Sequence, residues 1–204
     1  MARRGDVLHE HILDSAKYVF LELGFERTSM DAVAARAATS KRSLYAHFPT
    51  KEILFVACVE RIHELFEGRL STPSHYAADP VEACVLFCGR FLQLITYAPI
   101  LQTCRLGIAE ADRLPEASSR LWETFFGTAG HALSAHLTER CGTGPDQAAA
   151  VATRLLGVTV FPTLSRALFG MERLRADMPD EARLAEDVDL GAIRPVVDAE
   201  LARG

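Results

Sequence analysis

The chain has little that would suggest an enzyme, a membrane protein or a secreted scaffold. No apolar run approaches the about 18 residues that a membrane-crossing helix needs. The charged start Met1-Ala-Arg-Arg-Gly-Asp6 is not followed by an apolar core, so it does not read as a signal peptide. Strand-type alternation is missing, while alanine and leucine abound. Cysteines number five, an odd count that argues against a disulfide framework and for a reducing cytoplasm. No paired carboxylates, nucleophile elbow or glycine-rich phosphate loop accompanies a base, so no catalytic residue, metal site or cofactor is assigned. Gly142-x-Gly144 precedes a helix but follows no strand, and His9-x-His11 puts its imidazoles on different helical faces. There are three lysines, Lys17, Lys41 and Lys51, in a chain of 204 residues with net charge −5.

That charge is unevenly spread. Residues 1–51 carry eight Lys/Arg against six Asp/Glu, and the remainder fourteen against twenty-one. An acidic protein with a locally basic end is compatible with nucleic-acid binding. Two of the three lysines, Lys41 and Lys51, lie in the stretch Thr28–Glu52 and flank the second of the two short helices that it encodes. Thr28 or Ser29 can cap a first short helix, with Asp31 closing a Thr-x-x-Asp pattern and Met30, Val33, Ala34 and Ala37 on one face. Ala38-Thr39-Ser40 is a tight turn, and Ser40 caps a second helix. There Leu44 and Phe48 point inward one turn apart, leaving Lys41, Arg42, Ser43, Tyr45 and His47 outside. Pro49 stops it and Thr50 can cap the next. A helix that exposes only donors and amphipathic rings suits a DNA groove.

The remaining periodicity predicts an all-α protein. A first helix over about 6–23 carries Leu8, Ile12, Ala16, Val19, Phe20 and Leu23 on one stripe and ends at Gly24. Residues 1–5 read as a loose arm whose Arg3 and Arg4 could reach DNA. A fourth helix starts near residue 50 and acts as a connector; Gly68–Asp79 is linker-like. Further helices are expected at about 79–95, 99–111, 115–140, 146–169 and 187–202, with Pro162 kinking the fourth of these. The domains read as 1–52, a DNA-binding helix-turn-helix, and 53–204, a helical bundle for ligand binding and dimerisation.

Thr28…Val33-Ala34…Ala37…Ser40…Leu44-Tyr45-Ala46-His47-Phe48…Lys51-Glu52…Leu54 resembles the DNA-binding domain of the TetR family of bacterial transcriptional regulators. Cys104–Glu116 is similar to a segment of the AefR-like C-terminal group. The resemblance implies a phosphate contact for Ser29 or Thr28, base-edge contacts for Lys41, Arg42 and Ser43, and phosphate contacts for Tyr45, His47 and Lys51. Two positions depart from the family pattern. Ala38-Thr39 stands where Gly-Val is common, and costs about 1 kcal/mol if position 38 is left-handed. Arg42 stands where Gly is common, and could read a guanine with both guanidinium prongs.

The aromatic set Phe87, Phe91, Trp122, Phe125, Phe126 and Phe161 is a candidate lining for an effector cavity, with Gln93, Gln102, Arg105 and His131 as polar anchors. Val151, Leu155, Val158, Leu190, Ile193 and Val197 are candidate contacts between two copies. The function so implied is a homodimeric, ligand-responsive repressor with a double-stranded operator, a small largely apolar effector and no membrane as partners. Two alternatives remain open. One is a thiol-based redox sensor on the same scaffold, using Cys84, Cys88 and Cys104. The other is a helical small-molecule-binding protein without DNA binding.

Overall fold

The structure is a computed structural model that describes residues 4–203. It is all-α among those residues, its one extended pairing being an isolated bridge between Tyr97 and Arg175. The chain forms two compact units, residues 1–67 with 102–122 and residues 68–101 with 123–204.

The first unit opens with α1 (Arg4–Arg27), α2 (Met30–Arg36), α3 (Lys41–His47) and α4 (Lys51–Phe66). Gly24 interrupts α1 at φ +75°, a value only glycine adopts readily, so the regular helix stops where the sequence predicts. Phe20, Phe25 and Phe55 close its core, with Phe55 edge-on to both other rings at 5.1 and 5.2 Å. Around them Ile12, Val19, Val33, Leu44 and Leu54 are buried. The unit is completed by the end of α7 (Ala98–Ala109), a turn, and α8 (Pro115–Trp122), which packs on α4.

The second unit is built on α6 (Pro80–Ile95), capped by Asp79 with Pro80 in its first turn. Eleven of its sixteen residues are buried. Against it pack the short α5 (Pro73–Tyr76), α9 (Thr128–Cys141), α10 (Pro145–Thr159), α11 (Phe161–Leu168), α12 (Leu184–Asp187) and α13 (Leu190–Ala202). Gly89 lets α13 approach, because a Cβ there would run into Leu190.

Several expected boundaries shift for local reasons. The single helix expected over 115–140 is α8, a π-helical turn at Glu123–Gly127, and α9. Thr128 donates to the Glu123 carbonyl at 3.1 Å, and the Glu123 carboxylate occupies the space a side chain at residue 127 would fill. The helix expected over 146–169 is broken before Pro162 into α10 and α11, bent by 53°. A proline at the second position of α11 needs no amide there, so the break costs little. Among the described residues no single helix is long and apolar enough to cross a membrane.

Candidate nucleic-acid interface

Each end of the helix-turn-helix is fixed by a named group. Ser29 caps α2, accepting the Ala32 amide at 3.1 Å. Thr28 beside it is buried and donates its hydroxyl to the Gly24 carbonyl at 2.7 Å, so it braces the corner leading into α2. The turn passes through Ala38 at φ +46°, the left-handed conformation that the family's glycine would suit. His11 of α1 hydrogen-bonds the Ala37 carbonyl at 3.1 Å, with Nε2 as the donor, and steadies the turn. Ser40 caps α3 by accepting the Ser43 amide at 3.1 Å. Leu44 and Phe48 are buried, as their spacing requires.

The outer face of α3 is then fixed. Lys41 and Arg42 are exposed, Ser43 and His47 half-buried, and Tyr45 47% exposed. Lys41 is tied to Asp31 of α2 at 2.7 Å, whereas Arg42 makes no hydrogen bond or ion pair among the described residues. The His47 ring lies edge-on to His9 of α1 at 5.6 Å, and His9 rests on Phe48 at 4.7 Å. Lys51, at the start of α4, donates to the carbonyls of Phe25 at 2.8 Å, Glu26 at 3.3 Å and Thr28 at 3.1 Å. An ammonium has three N–H donors, so this one has none left over. Its ammonium also sits 4.3 Å from the centre of the Phe25 ring. Arg3 and the side chain of Arg4 lie outside the described residues.

These side chains are brought onto one unit by helices that cap and bury themselves. The candidate effector residues are scattered by comparison. Gln102, Arg105 and Trp122 belong to the first unit, where Gln102 is exposed and Trp122 is 59% exposed. In the second unit Phe87, Phe91 and Phe125 are buried, and Phe91 meets Phe126 edge-on at 5.9 Å. Phe161 is 60% exposed, and His131 is exposed beside Glu123 at 3.4 Å. Gln93 is fully buried, but its amide is consumed by the protein. It accepts from Arg90 at 2.5 Å and donates to the Asp180 carbonyl at 2.9 Å and to Asp187 at 2.6 Å.

That network escaped the sequence reading. Arg90 is a buried guanidinium whose partners are neutral oxygens: Gln93, Pro179 O at 3.1 Å and Arg69 O at 3.3 Å. Asp187 is reached through Gln93 and is paired with Arg175 at 2.8 Å. Burial pushes the Asp187 carboxyl up, but the Gln93 and Arg175 hydrogen bonds outweigh it and hold it below its ordinary value. A charged residue between Phe87 and Phe91, in the apolar run Ala83–Leu92, was the available signal. The second unit also holds a groove of about 890 Å³, lined by Leu92, Thr96, Val158, Pro162, Ile193 and the 172–189 segment.

Four of the six residues expected between two copies are turned inward. Val151, Leu155, Ile193 and Val197 are buried within one chain, because α10 packs chiefly on α9 and α13 on α6, and the two pack on each other. Leu190 is half-buried and lies against Gly89. Val158 is 47% exposed.

With this geometry in hand, residues 12–58 match the family model described as bacterial regulatory proteins, tetR family. The N-terminal unit carries a TetR-type helix-turn-helix. The TetC protein of transposon Tn10 from Escherichia coli is 27% identical over 64 residues, a stretch covering 31% of this chain and 32% of that protein's length. The TetR likeness of fold extends further. A solved structure from Mesorhizobium loti, described as a TetR-family transcriptional regulator, superposes with a TM-score of 0.75 over 98% of each chain at 24% identity. The flavonoid-responsive regulator FrrA superposes with a TM-score of 0.67 at 24% identity, over 92% of this chain and 94% of that one. A TetR-type helix-turn-helix followed by a helical C-terminal part is therefore the fold of the described residues.

Proposed function

We propose that the protein is a TetR-family transcriptional repressor, cytoplasmic and without enzymatic activity, that binds a pseudo-palindromic operator as a homodimer. The observation that carries this reading is the outer face of α3. Arg42 and Tyr45 stand out from a helix whose own core residues are fully buried, beside an α2 whose start is capped and braced. In this reading Arg42 and Ser43 read base edges, while Ser29, Tyr45 and His47 meet phosphates. Lys41 joins them by exchanging Asp31 for DNA. Lys51 acts chiefly by holding the α1–α2 corner, since its donors already rest on three carbonyls.

The dimer face we infer is the outward side of α10 and α13. On α10 it runs Ala150, Thr153, Gly157 and Val158, continued by Phe161; on α13 it runs Ala192, Pro195, Val196 and Ala199. Small and apolar residues at helical spacing suit a four-helix contact between two copies. Two recognition helices then enter successive major grooves about 34–36 Å apart.

Release would follow binding of a small, largely apolar effector to the second unit. The flavonoid response in the name of FrrA is one example of that chemistry. The ligand must favour the DNA-incompetent arrangement, or it shifts nothing. Helix α7 begins in the second unit and ends in the first, which makes it the natural carrier of that change. Cysteine sensing has less in its favour. Burial pushes the thiols of Cys58, Cys84, Cys88 and Cys104 up to about 12, leaving little thiolate to react at neutral pH.

Selection of bound sequences from random DNA, followed by a screen of apolar compounds for release, tests the proposal. Recovery of a two-fold symmetric site is the expected result. Failure to enrich any sequence would leave a helical ligand-binding protein.

A further inference from the structure

Residues 102–122 join the first unit after the chain has already passed through part of the second. This elbow, the end of α7, a turn and α8, fastens to the head at two places. Arg120 of α8 makes a two-pronged bond to Glu60 of α4, with Nε and Nη2 each 3.0 Å from a carboxylate oxygen. Arg113, in the turn, bonds the Glu26 carboxylate and lays its guanidinium 5.6 Å from the centre of the buried Phe25 ring. The same ring carries the Lys51 ammonium, and Lys51 binds the main-chain oxygens of Phe25, Glu26 and Thr28. Two cations, one from α4 and one from the elbow, thus grip the four residues between Gly24 and the cap of α2.

That corner is where the direction of α2 is decided. It starts at a left-handed glycine, which imposes little stiffness of its own, and ends at Ser29, the N-cap. An exposed Arg–Glu pair adds little to global stability. Its consequence is local, because Glu26 lies three residues before the Ser29 cap, between the buried Phe25 and Thr28 that Lys51 also holds. We propose that Arg113 is a positioning residue for operator binding, which sets the start of α2 through Glu26 and Phe25 without touching DNA. This deepens, and rests on, the DNA-binding reading above. It also gives a segment 87 residues along the chain from Glu26 a direct hold on the corner that leads into α2.

Full-length Arg113→Ala, Arg113→Lys and Glu26→Gln are compared with the wild type in two assays. One is affinity for the selected operator across a salt series; the other is amide hydrogen exchange over residues 30–33. Arg113→Ala should weaken binding by about fivefold or more, the low end of measured couplings between sites. The salt slope should stay unchanged, since no phosphate contact is lost. Exchange at the start of α2 should rise. Arg113→Lys should recover most of the affinity, and Glu26→Gln should add nothing to Arg113→Ala in the double variant. Unchanged affinity or unchanged exchange in Arg113→Ala overturns the proposal. So does a slope lower by about one, which would make Arg113 itself a phosphate contact. A wild-type protein that binds no DNA sinks the DNA-binding reading and this proposal together. Binding by the wild type with an indifferent Arg113→Ala sinks the proposal alone.

Discussion

Ala38 pays a conformational cost at the centre of the helix-turn-helix. Its φ of +46° is left-handed, where a Cβ costs about 1–2 kcal/mol. Replacing it with glycine removes that strain but loosens the unfolded chain by about 0.4–1 kcal/mol. The strain wins by a small margin, so Ala38→Gly should stabilise the protein by about 0.5 kcal/mol in urea denaturation. A loss of stability would mean that the turn holds Ala38 for its methyl contact. Gln93 makes the opposite case. Its amide joins a buried arginine to a carboxylate, so Gln93→Leu leaves polar groups without partners and should cost about 2–3 kcal/mol in the same assay. An effector anchor would have behaved differently, losing ligand response while the fold stayed intact. Asp187 adds a pH signature. Its carboxyl is held below its ordinary value, so its contribution is fully present above about pH 3.9 and is lost as pH falls through the lower folded value. Thermal unfolding followed from pH 6 down to pH 3 should show wild type losing its advantage over Asp187→Asn at the acid end. Parallel curves at all pH values would remove Asp187 from the network.

Among the elements, α3 was the most legible and α13 the least. A short helix whose one large aliphatic residue is Leu44, with Phe48 one turn on at its C-cap, has one possible inner face, so the outer face follows without tertiary knowledge. Helices α10 and α13 are apolar on more than one face, and periodicity cannot say which side meets α6 and which meets a second copy. The inward side turned out to hold Leu155, Ile193 and Val197, and the outward side a mixture of small residues with Val158 and Val196. Lys51 shows a different limit. Its place in the motif marks it as a cation near the phosphates, but the fold puts three carbonyls on its ammonium that no sequence pattern shows. The α3 face and Lys51 therefore part company on mutation. Arg42→Ala should relax preference at one base pair per half-site, costing about 1–3 kcal/mol there and little elsewhere. Lys51→Met should lower the unfolding temperature and weaken all sequences alike, with a salt slope reduced by less than the full unit of a direct contact. A full unit lost without any fall in stability would restore the phosphate role.

At the scale of the whole molecule, the proposal needs a second copy, and the buried and exposed valines separate two ways of losing it. Val197 has no exposed surface in one chain, so an aspartate there places an unpaired charge among α6, α10 and α13. Val197→Asp should unfold the second unit and lose the cooperative transition. Val158, 47% exposed and one turn before Phe161, sits where a charge is harmless to one chain. Val158→Asp should keep helicity and melting close to wild type, yet sediment and scatter light as a monomer. A lone head holds only one half-site, so the same variant should lose most of its operator affinity while its weak binding to non-specific DNA persists. A folded Val158→Asp that remains dimeric would move the contact off α10. A folded monomer that still binds the full site as tightly as wild type would dispose of the two-fold mode of binding itself.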